Sequence, residues 1–298
     1  MFTLGIIIPA YNYADQLEPA VLSALACSNN DIDLRLIVID DGSTDHTKEV
    51  VQDLQAAGHA FKYLYQNNTG PAAARNRGIE NSDAEFLIFL DADDELCPAG
   101  VKQGVAAIIN QPDAELLIAG HNSISESKVK YVSPGSISKY CEINFRRYLI
   151  EKKITMSSGA MIIRRESIAN IRFPERLRNS EDISFFAQIL ARLRTISIDT
   201  AMVNINKHSD SLRHNMVYAD QVGEQVVEQI FAGSTLPSWT KKYEKPYRSQ
   251  RLLSLFRSHY LAGDKDKARS LYRKALSQKL TILFKWAYLK KYIRLILS

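Results

Sequence analysis

At 298 residues the chain can fill one large core or two smaller ones, and its hydrophobic and charged fractions, 46% and 24%, are those of an ordinary folded protein. Cys27, Cys97 and Cys141 are well separated and form no Cys-x-x-Cys pair, which argues against a disulfide framework or a zinc site and for a reducing cytoplasm. The net charge of +5 comes with no aromatic-interleaved basic module, no charged leader ahead of an apolar core and no apolar run of about 18 residues, so nucleic-acid binding, a signal peptide and a membrane span are not expected.

The apolar run Leu4 to Ile8 reads as a strand and stops at Pro9-Ala10-Tyr11-Asn12. Asp15 to Ala26 carries Leu17, Val21, Leu22 and Leu25 at helical spacing. Leu34 to Ile39 is a second strand, closed by Asp40-Asp41-Gly42-Ser43-Thr44-Asp45. Asp45 is a suitable N-cap for a helix reaching Ala57, and Lys62 to Tyr65 is a short further strand. Gly70-Pro71 opens a helix to Ile79, with Pro at the first turn. Phe86 to Leu90 is continuously apolar, as a strand covered on both faces would be. Strand and helix alternate with short links, which predicts a parallel sheet.

The last of these strands runs directly into Asp91-Ala92-Asp93-Asp94. Carboxylates crowded on a short turn repel unless a divalent cation lies among them, and oxygen ligands suit Mg²⁺ or Mn²⁺. Taken alone, Asp-x-Asp fits a solvated acidic loop before a helix such as Ala99 to Ile109 equally well. A parallel sheet, however, puts the three strand ends on one edge, where ligands of open α/β sheets bind. Tyr11 offers a ring for a base, Asp41 an acceptor for a base N–H or ribose hydroxyl, and Arg75 a donor fork for a phosphate or base carbonyl. Each also has a plain reading, as a half-buried aromatic, a turn residue and a solvated helix charge.

Four motifs in order, Ile8-Pro9-Ala10-Tyr11-Asn12, Ile39 to Asp45, Asn68-x-Gly70 with Ala74-Arg75-Asn76-x-Gly78, and Leu90 to Asp94, resemble those of the inverting family 2 glycosyltransferases. The resemblance covers residues 3 to 95 closely and extends to about 215 through Glu181-Asp182 and His208-x-x-Ser211. It implies an α/β GT-A fold: a Rossmann-like nucleotide-binding half with a mostly parallel central sheet, 1–98, then an acceptor-binding half, 99–215. A helical C-terminal region, 216–298, would follow. It also implies a nucleotide-sugar donor, with Pro9, Tyr11, Asn12 and Asp41 at the base and ribose, and Asn68, Gly70 and Arg75 lining the pocket. Asp91 and Ala92 would meet the ribose, and Asp93, with His208, a Mn²⁺ or Mg²⁺ ion on the diphosphate.

An inverting displacement needs a base opposite the leaving group. Ser180-Glu181-Asp182 precedes an amphipathic helix, Ile183 to Leu193, and locally it looks like an ordinary helix start. The resemblance makes Asp182 the base, with Glu181 its neighbour. Leu116 to Ala119, Lys128 to Val132, Gly159 to Ile163 and Ile196 to Val203 read as acceptor-side strands, and Ser157-Ser158-Gly159-Ala160 suits close approach of a ligand or strand. Thr155 to Ser158 stands where family members often carry Trp and Lys or Arg, so the sugar pocket departs from the pattern.

Val222 to Phe231 reads as a helix, and Ser249 to Leu261 with Asp264 to Leu276 as an αα-hairpin. From 279 to 298 there are Lys279, Lys285, Lys290, Lys291 and Arg294, no acid, and many apolar residues including Trp286. Such a helix fits a membrane interface, the protein body or a second subunit. The expectation is a cytoplasmic metal-dependent glycosyltransferase, peripheral on the inner membrane face. It would take a UDP-sugar and a glycan or lipid-linked glycan acceptor, with C-terminal helices available for homo-oligomer contacts. Rival readings are a nucleotidyltransferase, which would want a Gly- and Lys-rich loop after the first strand, and a catalytically silent sugar-nucleotide-binding partner subunit.

Overall fold

The structure, a computed structural model, describes residues 1–126, 128–177, 180–207, 223–231 and 236–297. Strand β1 (Phe2–Ala10), helix α1 (Ala14–Leu25), β2 (Ile32–Asp40), α2 (Thr47–Ala56), β3 (Lys62–Tyr65), α3 (Pro71–Asn81) and β4 (Phe86–Phe89) follow in order. Then come β5 (Glu95–Leu96), α4 (Pro98–Asn110), β6 (Leu116–Ser125), β7 (Lys128–Val132), α5 (Cys141–Leu149), β8 (Met161–Arg164), α6 (Glu181–Leu190) and β9 (Thr195–Asn206). The helical region holds α7 (Gln225–Phe231), α8 (Glu244–Leu261), α9 (Lys265–Gln278) and α10 (Trp286–Leu297).

Among the described residues one sheet runs β3-β2-β1-β4-β8-β6-β9-β5, with β7 on β6. The β3-β2-β1-β4 half is parallel throughout, as the alternation of elements predicts. The antiparallel ladders lie beyond it, at β8 against β4 and β6, β7 against β6, and β5 against β9. β6 and β9 are parallel, with register shifts around Gly120. The two-residue β5 and the whole of α5 carry too few periodic positions to be read from the chain alone.

Strand alternation divides the core between the two sheet faces. Leu4, Ile6 and Ile8 of β1, with Phe86 and Ile88 of β4, pack against α1, α2 and α4. Ile7, Leu87 and Phe89 point the other way, against α3 and α6. Both faces are therefore dry, which is why these strands read as unbroken apolar runs.

Gly78 explains its place in the Ala74-Arg75-Asn76-x-Gly78 motif. A Cβ there would stand 2.3 Å from Ile7 Cγ2, so α3 can lie close on β1 only with glycine. Gly159 plays a similar part, since a Cβ would meet Val203 Cγ2 at 2.8 Å. The small-residue stretch thus admits a neighbouring strand, and Ser158–Ala160 forms a 3₁₀ turn ahead of β8 rather than part of the strand.

Asp45 differs from its expected role. α2 begins at Thr47 with His46 at the cap position, and no side chain caps it there. Asp45 instead accepts from Thr47 N at 3.1 Å and from Ala14 N at 3.1 Å, so one carboxylate serves the first residues of both α1 and α2. Burial opposes its ionisation, but the hydrogen bonds from Thr47 and Ala14 outweigh this and lower its pKa.

The hairpin α8–α9 forms with longer helices than the periodicity predicts, turned by Gly263 at φ 81° and capped by Asp264 on Lys267 N. The basic tail becomes a 3₁₀ turn, Leu280–Phe284, and then α10. Ile282 and Leu295 are buried with Phe256 and Tyr272 of the hairpin. Leu280, Phe284, Trp286, Ile293 and Ile296 stay exposed, so the tail docks on the body by only part of its surface. No described helix is long and apolar enough to cross a membrane.

Candidate functional site

β1 pairs with β2 and β4 in the same direction, so their C-terminal ends share one edge. Ala10 lies opposite Asp40, and Ile7 opposite Phe89, one strand step before the acidic turn. Three loops therefore meet there: 11–13, 41–46 and 90–94.

The first two loops are tied to each other. Asn12, held at φ 56°, donates from its backbone N to Ser43 Oγ at 3.0 Å, and its Oδ1 accepts from Thr44 N at 2.8 Å. Asp40 accepts from Ser43 N at 2.8 Å and from the Tyr63 hydroxyl at 2.7 Å, which raises the Tyr63 pKa after burial has done so. Asp41 is 3% exposed, and both its oxygens are engaged by the 66–70 turn. It accepts from Gln66 Nε2 at 2.7 Å, Thr69 N at 2.9 Å and Gly70 N at 2.7 Å. Asn12 thus ties two loops at the surface, whereas the Asp41 carboxylate is turned into the protein. Pro9 is half-buried, whereas Tyr11, at 44% exposure, and Asn68 face outward.

Arg75 also differs from its expected place. Its fork does not point outward: the side chain is 7% exposed and lies 5.3 Å over the Phe173 ring. Nη2 donates to Asp91 Oδ1 at 2.7 Å and Nη1 to Glu181 Oε1 at 2.9 Å. Burial works against this charge, but Asp91 and then Glu181 more than compensate and hold the guanidinium protonated. The next residue, Asn76, clamps Phe173 through both its main-chain N–H and its carbonyl, each at 2.9 Å. α3 is therefore a bolt between the acidic turn and the segment leading to α6.

Asp94 is turned inward. It is 6% exposed and accepts from Asn206 N at 3.0 Å, while Asn206 Nδ2 donates to the Asp93 carbonyl at 2.7 Å. The end of β9 thus fixes the acidic turn from its other side. Tyr13 closes the group: burial, then the charges of Asp93, Asp91 and Asp94, push its phenol up to about 12. Tyr13 and Asn206 carry no sequence signal of their own, and Asn76 stands in a motif that does not name its partner; only the fold brings them here.

Glu181 and Asp182 open α6, which places both in the first turn where the helix favours negative charge. Glu181 is 8% exposed and faces Arg75; Asp182 is half-buried and accepts from Ile183 N at 2.8 Å. Asp182 also lies within electrostatic reach of Tyr148 and Tyr247; burial, before its charge, raises both phenols. Through Arg75, the acidic turn and the start of α6 are joined.

Among the described residues no group of three or more His, Cys, Asp or Glu side chains is arranged to enclose a metal. The donor set still fits Mg²⁺ or Mn²⁺, because such ions are held by one or two carboxylates with substrate phosphates and water completing the shell. Asp93, half-buried in the acidic turn, offers one carboxylate of that kind. His208 and Ser211 lie outside the described residues.

Comparison with known proteins bears on the family and the fold. A Haemophilus influenzae protein described as an uncharacterized glycosyltransferase is 26% identical over 240 residues, 76% of this chain and 92% of its own length. The GalNAc(5)-diNAcBac-PP-undecaprenol beta-1,3-glucosyltransferase of Campylobacter jejuni is 33% identical over 187 residues, 60% of this chain and 57% of that enzyme. The chain spans less of other relatives, such as 44% of a Rickettsia conorii glycosyltransferase. In fold it is similar to residues 1–349 of S. aureus TarS in complex with UDP-GlcNAc, with a TM-score of 0.68 at 19% identity, covering 99% of this chain and 89% of that one. It is also similar to the Pyrobaculum calidifontis mannosyltransferase PcManGT in complex with GDP-Man and Mn²⁺, with a TM-score of 0.55 at 15% identity, covering 98% and 84%. Residues 5–172 match the Glycosyl transferase family 2 pattern, and the chain belongs to that family of glycosyltransferases.

Proposed function

We propose that the chain moves a sugar from a UDP-sugar to a hydroxyl of a glycan or lipid-linked glycan, with inversion at the anomeric carbon. The observation that carries this reading is the Asp91–Arg75–Glu181 bridge, because it ties the acidic turn at the donor end to the first turn of the helix that bears Asp182. Residues 1–98 would serve the donor and 99–215 the acceptor.

Tyr11 supplies a face for the base, and the Asp41-braced 66–70 turn, with Asn68 and Gly70, closes around the nucleoside. Asp91 and the backbone at Ala92 meet the ribose. Asp93, joined by His208, would hold Mn²⁺ or Mg²⁺. When bound, that ion neutralises charge on the departing diphosphate. Asp182 takes the proton of the attacking hydroxyl as the acceptor C–O bond forms and the sugar–phosphate bond breaks. The nucleoside diphosphate leaves with the electron pair of that bond.

Thermal unfolding with UDP, GDP or dTDP tests this reading directly. UDP with Mn²⁺ should raise Tm, by about 2.7 kcal/mol of stability at a hundredfold excess over Kd. EDTA, or Asp93→Asn, should remove most of that gain. A gain indifferent to both would count against the metal assignment. Binding with no donor hydrolysis or transfer under any acceptor would favour a silent partner subunit.

The exposed side of the tail points to a bilayer surface. Exposed Leu280, Phe284, Trp286 and Ile293 adjoin Lys279, Lys285, Lys290 and Arg294, with no acid from 279 to 298. Anionic vesicles should sediment the protein, and Phe284→Ser with Trp286→Ser should release it. Equal sedimentation of parent and double variant would discard this contact.

A further inference from the structure

We infer that Arg251 and Lys152 form an anion-binding subsite on the acceptor side of the cleft, built to hold a phosphoryl group of the acceptor. This rests on Asp182 acting at the acceptor hydroxyl.

Tyr247 and Arg251 are four residues apart on α8, and so share a side of that helix. Tyr247 is 1% exposed and packs in one apolar cluster with Ala187 and Ile183 of α6 and Tyr148 of α5. The Tyr148 ring stands 6.2 Å from Phe186, one helical turn beyond Asp182. Gln250 Nε2 donates to the Ile150 carbonyl at 2.9 Å, which pins α8 to the segment after α5. Two residues on, Lys152 adopts φ 55°, and its Nζ lies 5.5 Å from the centre of the Tyr247 ring. Two separate stretches thus place two cations around a tyrosine that also neighbours Asp182.

Among the described residues neither cation makes an ion pair with a carboxylate within 4 Å, and the nearby Asp182 is the group the mechanism uses. Arg251 Nε is buried and has no hydrogen-bond partner there. Desolvation, and then the Arg251 charge, lower the Lys152 pKa, as expected for two like charges brought together. Buried donors are nearly always paired, so an orphan of this kind calls for a bound group. An arginine fork beside a lysine point charge matches a phosphoryl group, which accepts through several oxygens and carries more than one charge. A neutral sugar hydroxyl would engage the arginine fork less fully.

The test uses inorganic phosphate as probe, with the nucleotide pocket filled by saturating UDP and Mn²⁺. Phosphate should raise the Tm of the parent above acetate at equal ionic strength. Arg251→Gln and Lys152→Gln should each weaken phosphate binding by about tenfold, the effect of one charge-assisted hydrogen bond, with UDP binding unchanged. Arg251→Lys, which keeps the charge but not the fork, should fall between the parent and Arg251→Gln, and serves if Arg251→Gln does not fold. No phosphate effect in the UDP-bound parent, or equal binding by all variants, would overturn the subsite. A failure of UDP itself to bind would instead strike the proposed donor. Anionic phospholipid vesicles separate the sources: equal sedimentation of parent and Arg251→Gln supports an acceptor phosphate, and loss of sedimentation in the variant overturns it in favour of a lipid headgroup.

Discussion

Asp182→Asn is expected to slow sugar transfer by about 10²–10⁴-fold while leaving UDP binding within twofold of the parent. The amide has almost the shape of the carboxylate but cannot take a proton. It can still accept from Ile183 N through its carbonyl, so the start of α6 should hold. The loss should therefore appear in kcat rather than in Tm, and it should not be rescued by more metal or donor. Transfer at the parental rate, measured with the same acceptor, would remove Asp182 from the chemistry. Glu181 is no substitute, because its carboxylate is turned into the protein against Arg75.

Arg75→Leu is expected to cost about 3–5 kcal/mol of folding stability, the range for removing one partner of a buried ion pair. Most of that loss comes from Glu181, whose side chain is 11% exposed and would be stranded as a buried anion. Asp91, at 42% side-chain exposure, can turn to water and contributes less. Arg75→Lys should also be impaired, because one ammonium cannot reproduce a fork that reaches two carboxylates on different elements. Pairing Arg75→Leu with Glu181→Leu should recover part of the stability but not the activity, since the cleft would lose its bridge. Urea unfolding gives the measurement; a loss below about 0.5 kcal/mol, the scale of an ordinary surface substitution, would show that the bridge carries no weight.

The two results would also separate the kinds of information in the chain. Leu4 to Ile8, Leu34 to Ile39 and Phe86 to Leu90 announce buried parallel strands because both their faces are dry, and the acidic and Pro-Ala-Tyr-Asn turns follow at their ends. Those strand positions are legible from local pattern alone, and the four motifs at their spacing lead to the family. The roles of individual polar atoms are not legible in the same way. Arg75 reads as an outward donor, yet its guanidinium is held inside by Asp91 and by a glutamate 106 positions further along. Asp94 reads as a third member of an acidic cluster, yet it is anchored to Asn206, 112 positions away. Asp45 reads as the cap of one helix and serves two.

By itself the sequence determined the alternation of strands and helices from β1 to β4, the dry central sheet and the family, because burial periodicity and short motifs are properties of neighbouring residues. The tertiary structure alone decided that Asn76, Arg75 and Asn206 tie the acidic turn to distant segments, and that Tyr247 from the helical region packs with α6. Those outcomes depend on which carboxylate, carbonyl or cation a folded chain brings within about 3 Å, or within electrostatic range, of a given side chain. A distance of that kind has no local signature, because its two ends are chosen by packing and not by spacing along the chain.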